Sequence, residues 1–241
     1  MKKALMTALA AGLFTLPAMA DTVRLGTEGA YPPYNFINDN GEVDGYEREV
    51  GDLLCEVAKL ECTWVTNEWD SIIPNLVGGN YDTIIAGMSI TAERDEVIDF
   101  TQAYLPPDPS FYVALAGTDP SVLTSGVIAA QTNTIQAGEV AKGSATLVEF
   151  ASPDETVAAV KNGEADAVLA DGAFLQDAVD ASNGELVIID KVLLGGGIGI
   201  GVRESDTELK GKLNAAIDTI KADGRLNTII KKWFSEEQAV Y

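Results

Sequence analysis

Two series of alternating strand-like and helix-like segments, interrupted by the run Pro106-Pro107-Asp108-Pro109, constrain this chain more than any other feature. In the first series, 22–27 alternates as a strand does, and 47–60 places Val50, Leu53, Leu54 and Val57 on one helical face. A short strand at 62–65, a short helix at 71–77 with Pro74 in its first turn, and a strand at 81–88 running into Ser89 and Thr91 follow. In the second series, strands are expected at 127–130, 146–150, 167–170 and 186–189, with helices at 136–142, 155–162 and 173–182. The tail, 205–234, carries two helices parted at Asp223-Gly224. Strand–helix–strand order implies parallel sheets with helices on their faces. A segment so rich in proline cannot serve as a central strand, so 106–109 marks an extended boundary between two lobes. The glycine-rich run 195–201 is the second expected boundary. It fits neither the dinucleotide fingerprint nor the phosphate loop, and reads as a flexible or closely packed crossing strand.

The charge balance narrows the function. With 37 acidic against 16 basic residues and a net charge of -21, the surface repels phosphate backbones and anionic lipids, which excludes nucleic acid as a partner. The absence of histidine removes Ser-His-Asp and Cys-His nucleophile systems, His-ligated zinc and His general bases. No cofactor or metal is expected. At the N-terminus, Lys2 and Lys3 precede an apolar run at 4–16 and then Ala18-Met19-Ala20, the pattern of an export signal cut after Ala20. The run is shorter than the roughly 20 residues a spanning helix needs, and no cysteine at the cut offers a lipid anchor. The expected location is the periplasm. Cys55 and Cys62 are then either a structural disulfide or two buried thiols. An oxidising compartment, and a spacing that suits a helix end turning back into a strand, favour the bridge.

Specific residues carry a resemblance. Thr27-Glu28-Gly29-Ala30-Tyr31-Pro32-Pro33-Tyr34-Asn35-Phe36, Gly45-Tyr46-Glu47, Trp69-Asp70-Ser71-Ile72-Ile73-Pro74-Asn75-Leu76, Tyr81-Asp82, Gly87-Met88-Ser89-Ile90-Thr91-Ala92-Glu93-Arg94 and Ile98-Asp99-Phe100 stand in this order. Gly163-Glu164-Ala165-Asp166-Ala167, Gly201-Val202-Arg203, Asp223-Gly224 and Lys232-Trp233-Phe234 extend it to the end of the chain. The set resembles the polar amino acid binding proteins of bacterial ABC importers, and the cysteine pair resembles the disulfide of their lysine-arginine-ornithine and histidine branch. The resemblance implies an α/β fold of the periplasmic binding protein type II class, two α/β lobes joined by two hinge strands. The bounds would be 1–20 for the signal, 21–106 with 202–241 for lobe one and 107–201 for lobe two, with hinges near 105–110 and 199–202. The implied activity is delivery of an amino acid to an inner-membrane permease by a monomeric, non-enzymatic protein.

The resemblance also assigns roles. Arg94 would pair with the ligand α-carboxylate through its guanidinium fork, although an Arg between Glu93 and Asp95 by itself reads as a solvated helix residue. Ser89 would bond the carboxylate or ammonium, and Gly87 would offer a carbonyl to the ammonium. From the other lobe, Asp171 would pair with the ammonium and the Thr134 N–H would meet the carboxylate at a helix start. An Asp after a strand otherwise reads as a helix cap. Thr132, Asn133 and Ile135 depart from the usual Gly, Ser and polar residue there. Tyr31 and Trp69 resemble the aromatic walls around the ligand side chain, or are core aromatics. Glu28 would receive a cationic group or an amide, which leaves an arginine-, lysine- or ornithine-like ligand, a glutamine-type ligand and an opine open. Ala86 beside Glu28 resembles the opine branch. Cyclohexadienyl dehydratases, enzymes on this fold, depart from the clamp of Arg94 and Asp171.

Overall fold

In the computed structural model, which describes residues 22–234 and 238–241, the two series build two separate five-stranded sheets. The signal expected at 1–20 lies outside the described residues. The first sheet runs Cys62–Thr66, Val23–Thr27, Thr83–Ile84, Gly201–Val202, Asp99–Phe100. Val23–Thr27 pairs parallel with both neighbours, as the crossover helices require, and Gly201–Val202 returns antiparallel from the far end of the chain. The second sheet runs Thr146–Phe150, Val127–Gln131, Ala167–Asp171, Pro109–Leu115, Leu186–Leu193. A small antiparallel sheet of Ala30–Tyr31, Asn35–Ile37 and Val43–Asp44 precedes the helix Tyr46–Ala58.

Two expectations are corrected. Pro109–Leu115 is a central strand, antiparallel to both Ala167–Asp171 and Leu186–Leu193, so the second sheet is mixed rather than parallel. Proline is accommodated because Pro109 stands at the first residue of the strand, while Pro106 and Pro107 stay outside it. The strand expected at 81–88 shortens to Thr83–Ile84. The chain turns at Gly87, whose φ of 61° favours glycine, and the Gly87 N–H bonds the Glu47 carboxylate at 2.6 Å instead of a neighbouring strand.

Local chemistry sets the helix ends that face the cleft. Thr134 caps Ile135–Lys142 by accepting from the Ala137 N–H at 3.1 Å. Ser152 and Glu155 form a reciprocal capping box on Pro153–Asn162, which ends on Gly163 in the left-handed region. The apolar face of Tyr46–Ala58 packs Val50 and Leu54 against Ile217, Ile220 and Ile230 of the helices Thr207–Ala222 and Arg225–Trp233. Each such side chain contributes about 1.5–3 kcal/mol when fully buried. Among the described residues, no helix is long and apolar enough to cross a membrane.

The two crossings between the sheets are hydrogen-bonded to each other. Ile198 bridges antiparallel to both Ser89 and Leu105, with the Tyr104 N–H donating to the Ile198 carbonyl at 2.8 Å and the Ile198 N–H to the Leu105 carbonyl at 3.0 Å. A Cβ at Gly197, where φ is 94°, would lie 2.8 Å from the Leu105 carbonyl oxygen, so glycine is required where the strands approach. The glycine run is thus a closely packed crossing.

Cys55 and Cys62 form a disulfide that ties the end of Tyr46–Ala58 to the strand Cys62–Thr66. By the loop-entropy relation, a closed loop this short contributes about 2.5 kcal/mol. The double substitution Cys55→Ala with Cys62→Ala is expected to lower the unfolding free energy by about that amount in a urea titration. An unchanged midpoint would mean that the bridge does not stabilise the fold.

Candidate functional site

Three parallel strands end at one cleft. Glu28 follows Val23–Thr27, Gln131 ends Val127–Gln131 and Asp171 ends Ala167–Asp171, so acidic and amide groups of both sheets converge where open α/β sheets carry their ligands. The cleft encloses about 310 Å³ of space not filled by protein atoms, part of it open to solvent. All eight residues singled out in the sequence line it: Glu28, Tyr31, Trp69, Gly87, Ser89, Arg94, Thr134 and Asp171. Ala86, Gln131, Ile135 and Gln136 complete the wall.

Arg94 sits on the short helix Ala92–Asp95, capped by Thr91, whose hydroxyl accepts from the Arg94 N–H at 3.2 Å. Its guanidinium donates to two carbonyls, Ser89 at 2.9 Å and Asn133 at 3.1 Å, and lies 5.4 Å from the centroid of the Trp69 ring. Among the described residues no carboxylate stands within ion-pair distance of it. Burial pushes its pKa down to about 10, partly offset by Asp171 and Glu93, so it stays cationic at neutral pH. Three of its five donors remain for an anion. Near it, the Ser89 hydroxyl and the Thr134 N–H have no hydrogen-bond partner among the described residues.

Asp171 stands at the N-cap of Gly172–Ala181 yet makes no capping bond. Its carboxylate accepts instead from the Tyr31 hydroxyl at 2.8 Å, and its N–H donates to the same hydroxyl at 3.1 Å. Burial raises its pKa, against the lowering effects of Tyr31, Gln136 and Arg94. Tyr31 belongs to the first sheet's side of the cleft, and its ring stacks on Phe174 of the second at 4.7 Å. Further bonds cross the cleft from Trp69 Nε1 to the Thr132 carbonyl at 3.0 Å and from Gln131 Nε2 to Glu28 Oε1 at 2.7 Å. The cleft is closed. Asn133, in place of the usual Ser, adopts a φ of 56°, which Asn tolerates well.

Sequence reasoning did not find Gln131, Gln136 or Phe174. The one available signal for Gln131 was position, since it ends a parallel strand, as Asp171 ends the neighbouring one. Its two amide donors go to Glu28 Oε1 and to the Ala151 carbonyl at 3.1 Å. Both partners are acceptors there, which fixes the amide orientation and turns Gln131 Oε1 away from them. Glu28 Oε2 and Gln131 Oε1 are left without donors among the described residues. Burial pushes the Glu28 carboxyl up to about 7; Gln131 pulls it down, and Glu68, Glu47 and Asp70 push it up. One region of the cavity therefore suits an anion, Asp171 suits a cation, and the Glu28–Gln131 pair suits a donor-rich group.

Two α/β lobes closed over a polar cavity of this kind define a solute-binding protein of the periplasmic type II class. The chain belongs to the bacterial extracellular solute-binding proteins, family 3, whose profile matches residues 23–236. It is 36% identical to the L-arginine-binding protein of Pseudomonas aeruginosa, over 97% of this chain and 96% of the relative. It is 29% identical to the lysine/arginine/ornithine-binding periplasmic protein of Escherichia coli, over 95% and 94% of the two chains. The crystal structure of a periplasmic His/Glu/Gln/Arg/opine family-binding protein from Silicibacter pomeroyi in complex with lysine shares 67% identity, with a TM-score of 0.88, over 91% of this chain and all of that one.

Proposed function

We infer that this protein binds an amino acid with a cationic side chain, of the arginine, lysine or ornithine kind, in the periplasm and delivers it to the permease of an ABC importer. One observation carries the reading: a single cavity joins a buried guanidinium to a carboxylate, Asp171, and to a second acid, Glu28, which accepts from the Gln131 amide and keeps one oxygen without a donor among the described residues. Arg94, Ser89 and the Thr134 N–H hold the α-carboxylate, and Asp171 with the Gly87 carbonyl holds the ammonium. Tyr31 and Trp69 flank the side chain, and Glu28 receives its terminal cation, an arrangement that cation–π attraction and charge-assisted bonding both favour. The lysine complex of the Silicibacter pomeroyi protein and the names of the two relatives support the same ligand class. The lobes comprise 21–106 with 202–241 and 107–201, and close as a monomer about 105–110 and 199–202 after removal of the signal at Ala20. The reading is of a binding protein and not an enzyme, which the binding-protein names of the two relatives support.

A second reading rests on the adjoining cavity of about 210 Å³, which shares Tyr31, Gln131, Thr134 and Gln136 with the first and extends to Thr156 and Leu169. The added substituent of an opine would extend from the ammonium position toward this side, with Gln136 and Thr156 at its border. Calorimetry and thermal shift with L-arginine, L-lysine, L-ornithine, L-glutamine and octopine test both readings. The expected ligand, at about 100 times its Kd, adds about 2.7 kcal/mol of stability and shrinks the radius of gyration in solution scattering. Preference for glutamine over the three cations would overturn the cationic assignment, and preference for octopine would establish the second reading. Turnover of prephenate or arogenate would overturn the binding-protein reading itself.

A further inference from the structure

Glu47 is fully buried, yet among the described residues it has no cationic partner within ion-pair distance. Its carboxylate accepts from three donors that belong to three different segments. Oε1 takes the Gly87 N–H at 2.6 Å and the Tyr104 hydroxyl; Oε2 takes Asn35 Nδ2 at 2.7 Å. Asn35, also fully buried, passes the connection on, since its Oδ1 accepts the Gly29 N–H at 2.6 Å. Gly29 follows Glu28, and Gly87 precedes Ser89 by two residues, so both turns lie in the first lobe's wall of the cavity. Tyr104 lies on a crossing, where its N–H bonds the Ile198 carbonyl and its own carbonyl accepts from the Tyr46 hydroxyl at 2.9 Å.

We propose that Glu47 is a positioning residue: one buried carboxylate holds the Glu28–Gly29 turn, the Gly87 turn and the crossing residue Tyr104 in a single register, so that the geometry of the site and of the crossing are set together. The chemistry requires an acid at this position. Every group that meets the carboxylate is a donor, and the Gly29 N–H fixes which way the Asn35 amide faces. A glutamine at 47 has one acceptor and one NH2. If its NH2 faces Asn35, that amide must flip and the Gly29 N–H loses its partner; if its NH2 faces Gly87, that N–H loses its partner. Either way one cavity turn is released.

The same accounting supplies a rescue. In the pair Glu47→Gln with Asn35→Asp, the glutamine NH2 donates to the new carboxylate, its oxygen accepts from Gly87 and Tyr104, and the aspartate accepts from Gly29. Every bond is restored with carboxylate and amide exchanged. The test measures amide hydrogen exchange at Gly29 and Gly87 in the unliganded protein and L-arginine affinity by calorimetry, in the unsubstituted protein, Glu47→Gln and the double variant. In Glu47→Gln one of the two amides is expected to exchange at least about tenfold faster while amides of Val127–Gln131 keep their protection, and L-arginine affinity to fall about 10–100-fold. The double variant is expected to return both to within about threefold of the starting values. Where Glu47→Gln is too unstable to purify, the double variant and Tyr104→Phe carry the test, the first expected to bind normally and the second to release L-arginine faster without slower association. Unchanged exchange at both glycines in Glu47→Gln, or a double variant no better than the single one, would overturn the proposal. The exchange readout needs no ligand, so failure of L-arginine to bind the unsubstituted protein would count against the cationic-ligand reading alone.

Discussion

Replacing Arg94 with alanine is expected to abolish measurable high-affinity binding while leaving the unliganded protein folded. In the closed cleft the guanidinium bonds only the Ser89 and Asn133 carbonyls among the described residues, and it stands over Trp69. Its loss therefore removes little from the fold. For a ligand α-carboxylate the loss is large, because the anion would be taken out of water into a buried cavity with its charged partner missing. Truncating one member of a buried, hydrogen-bonded charge pair costs roughly 2–5 kcal/mol, or about 30- to several-thousand-fold in Kd. Arg94→Lys keeps the charge but not the fork, and is expected to recover part of the affinity. Calorimetry with L-arginine and L-lysine, alongside a thermal melt of each variant, measures both effects. Affinity within threefold of the unsubstituted protein would remove Arg94 from the site.

Glu28→Gln is expected to cost L-arginine roughly 1.5–3 kcal/mol, the scale of a charge-assisted hydrogen bond, and to leave L-glutamine nearly unaffected. The same residue sets a pH dependence. In the free protein burial holds its carboxyl near 7, whereas a bound guanidinium favours the ionised form and lowers the pKa. Affinity for a cationic ligand is then full above about pH 7 and declines as the pH falls through it, by up to about tenfold per unit. The unliganded fold responds in the opposite direction. A carboxyl raised above its unfolded value contributes stability below about pH 4.5 and loses it as the pH rises through about 7, so this group favours the folded protein on the acid side. Glu28→Gln should flatten both profiles. An arginine affinity that is level between pH 5.5 and 8.5 in the unsubstituted protein would show that Glu28 does not face the ligand cation.

The difference between what was legible in the sequence and what was not follows the range of the interactions. Helical faces, capping residues and turn glycines are written within a few neighbouring residues, so most helices and parallel strands and the cysteine pair could be read locally, whereas eight of the twelve residues of the cavity wall were legible only through the resemblance of ordered motifs to a known family. Even Asp171 was legible as a position, at the end of its strand. Its chemistry was not, because the cap expected from local pattern gave way to a hydroxyl 140 residues distant.

By itself, the sequence determined most of the helices and parallel strands and the proline- and glycine-rich segments that part the two series, since periodicity and turn chemistry act locally. Only the tertiary structure decided the rest. Sheet order placed Pro109–Leu115 antiparallel between two strands of the second sheet, closure set Gln131 against Glu28 across 103 residues, and folding of the first lobe brought Asn35, Gly87 and Tyr104 onto the buried carboxylate of Glu47. The physical reason is common to all three: a hydrogen-bond donor and its acceptor need only meet in space, and no local period along the chain records a meeting between residues that far apart.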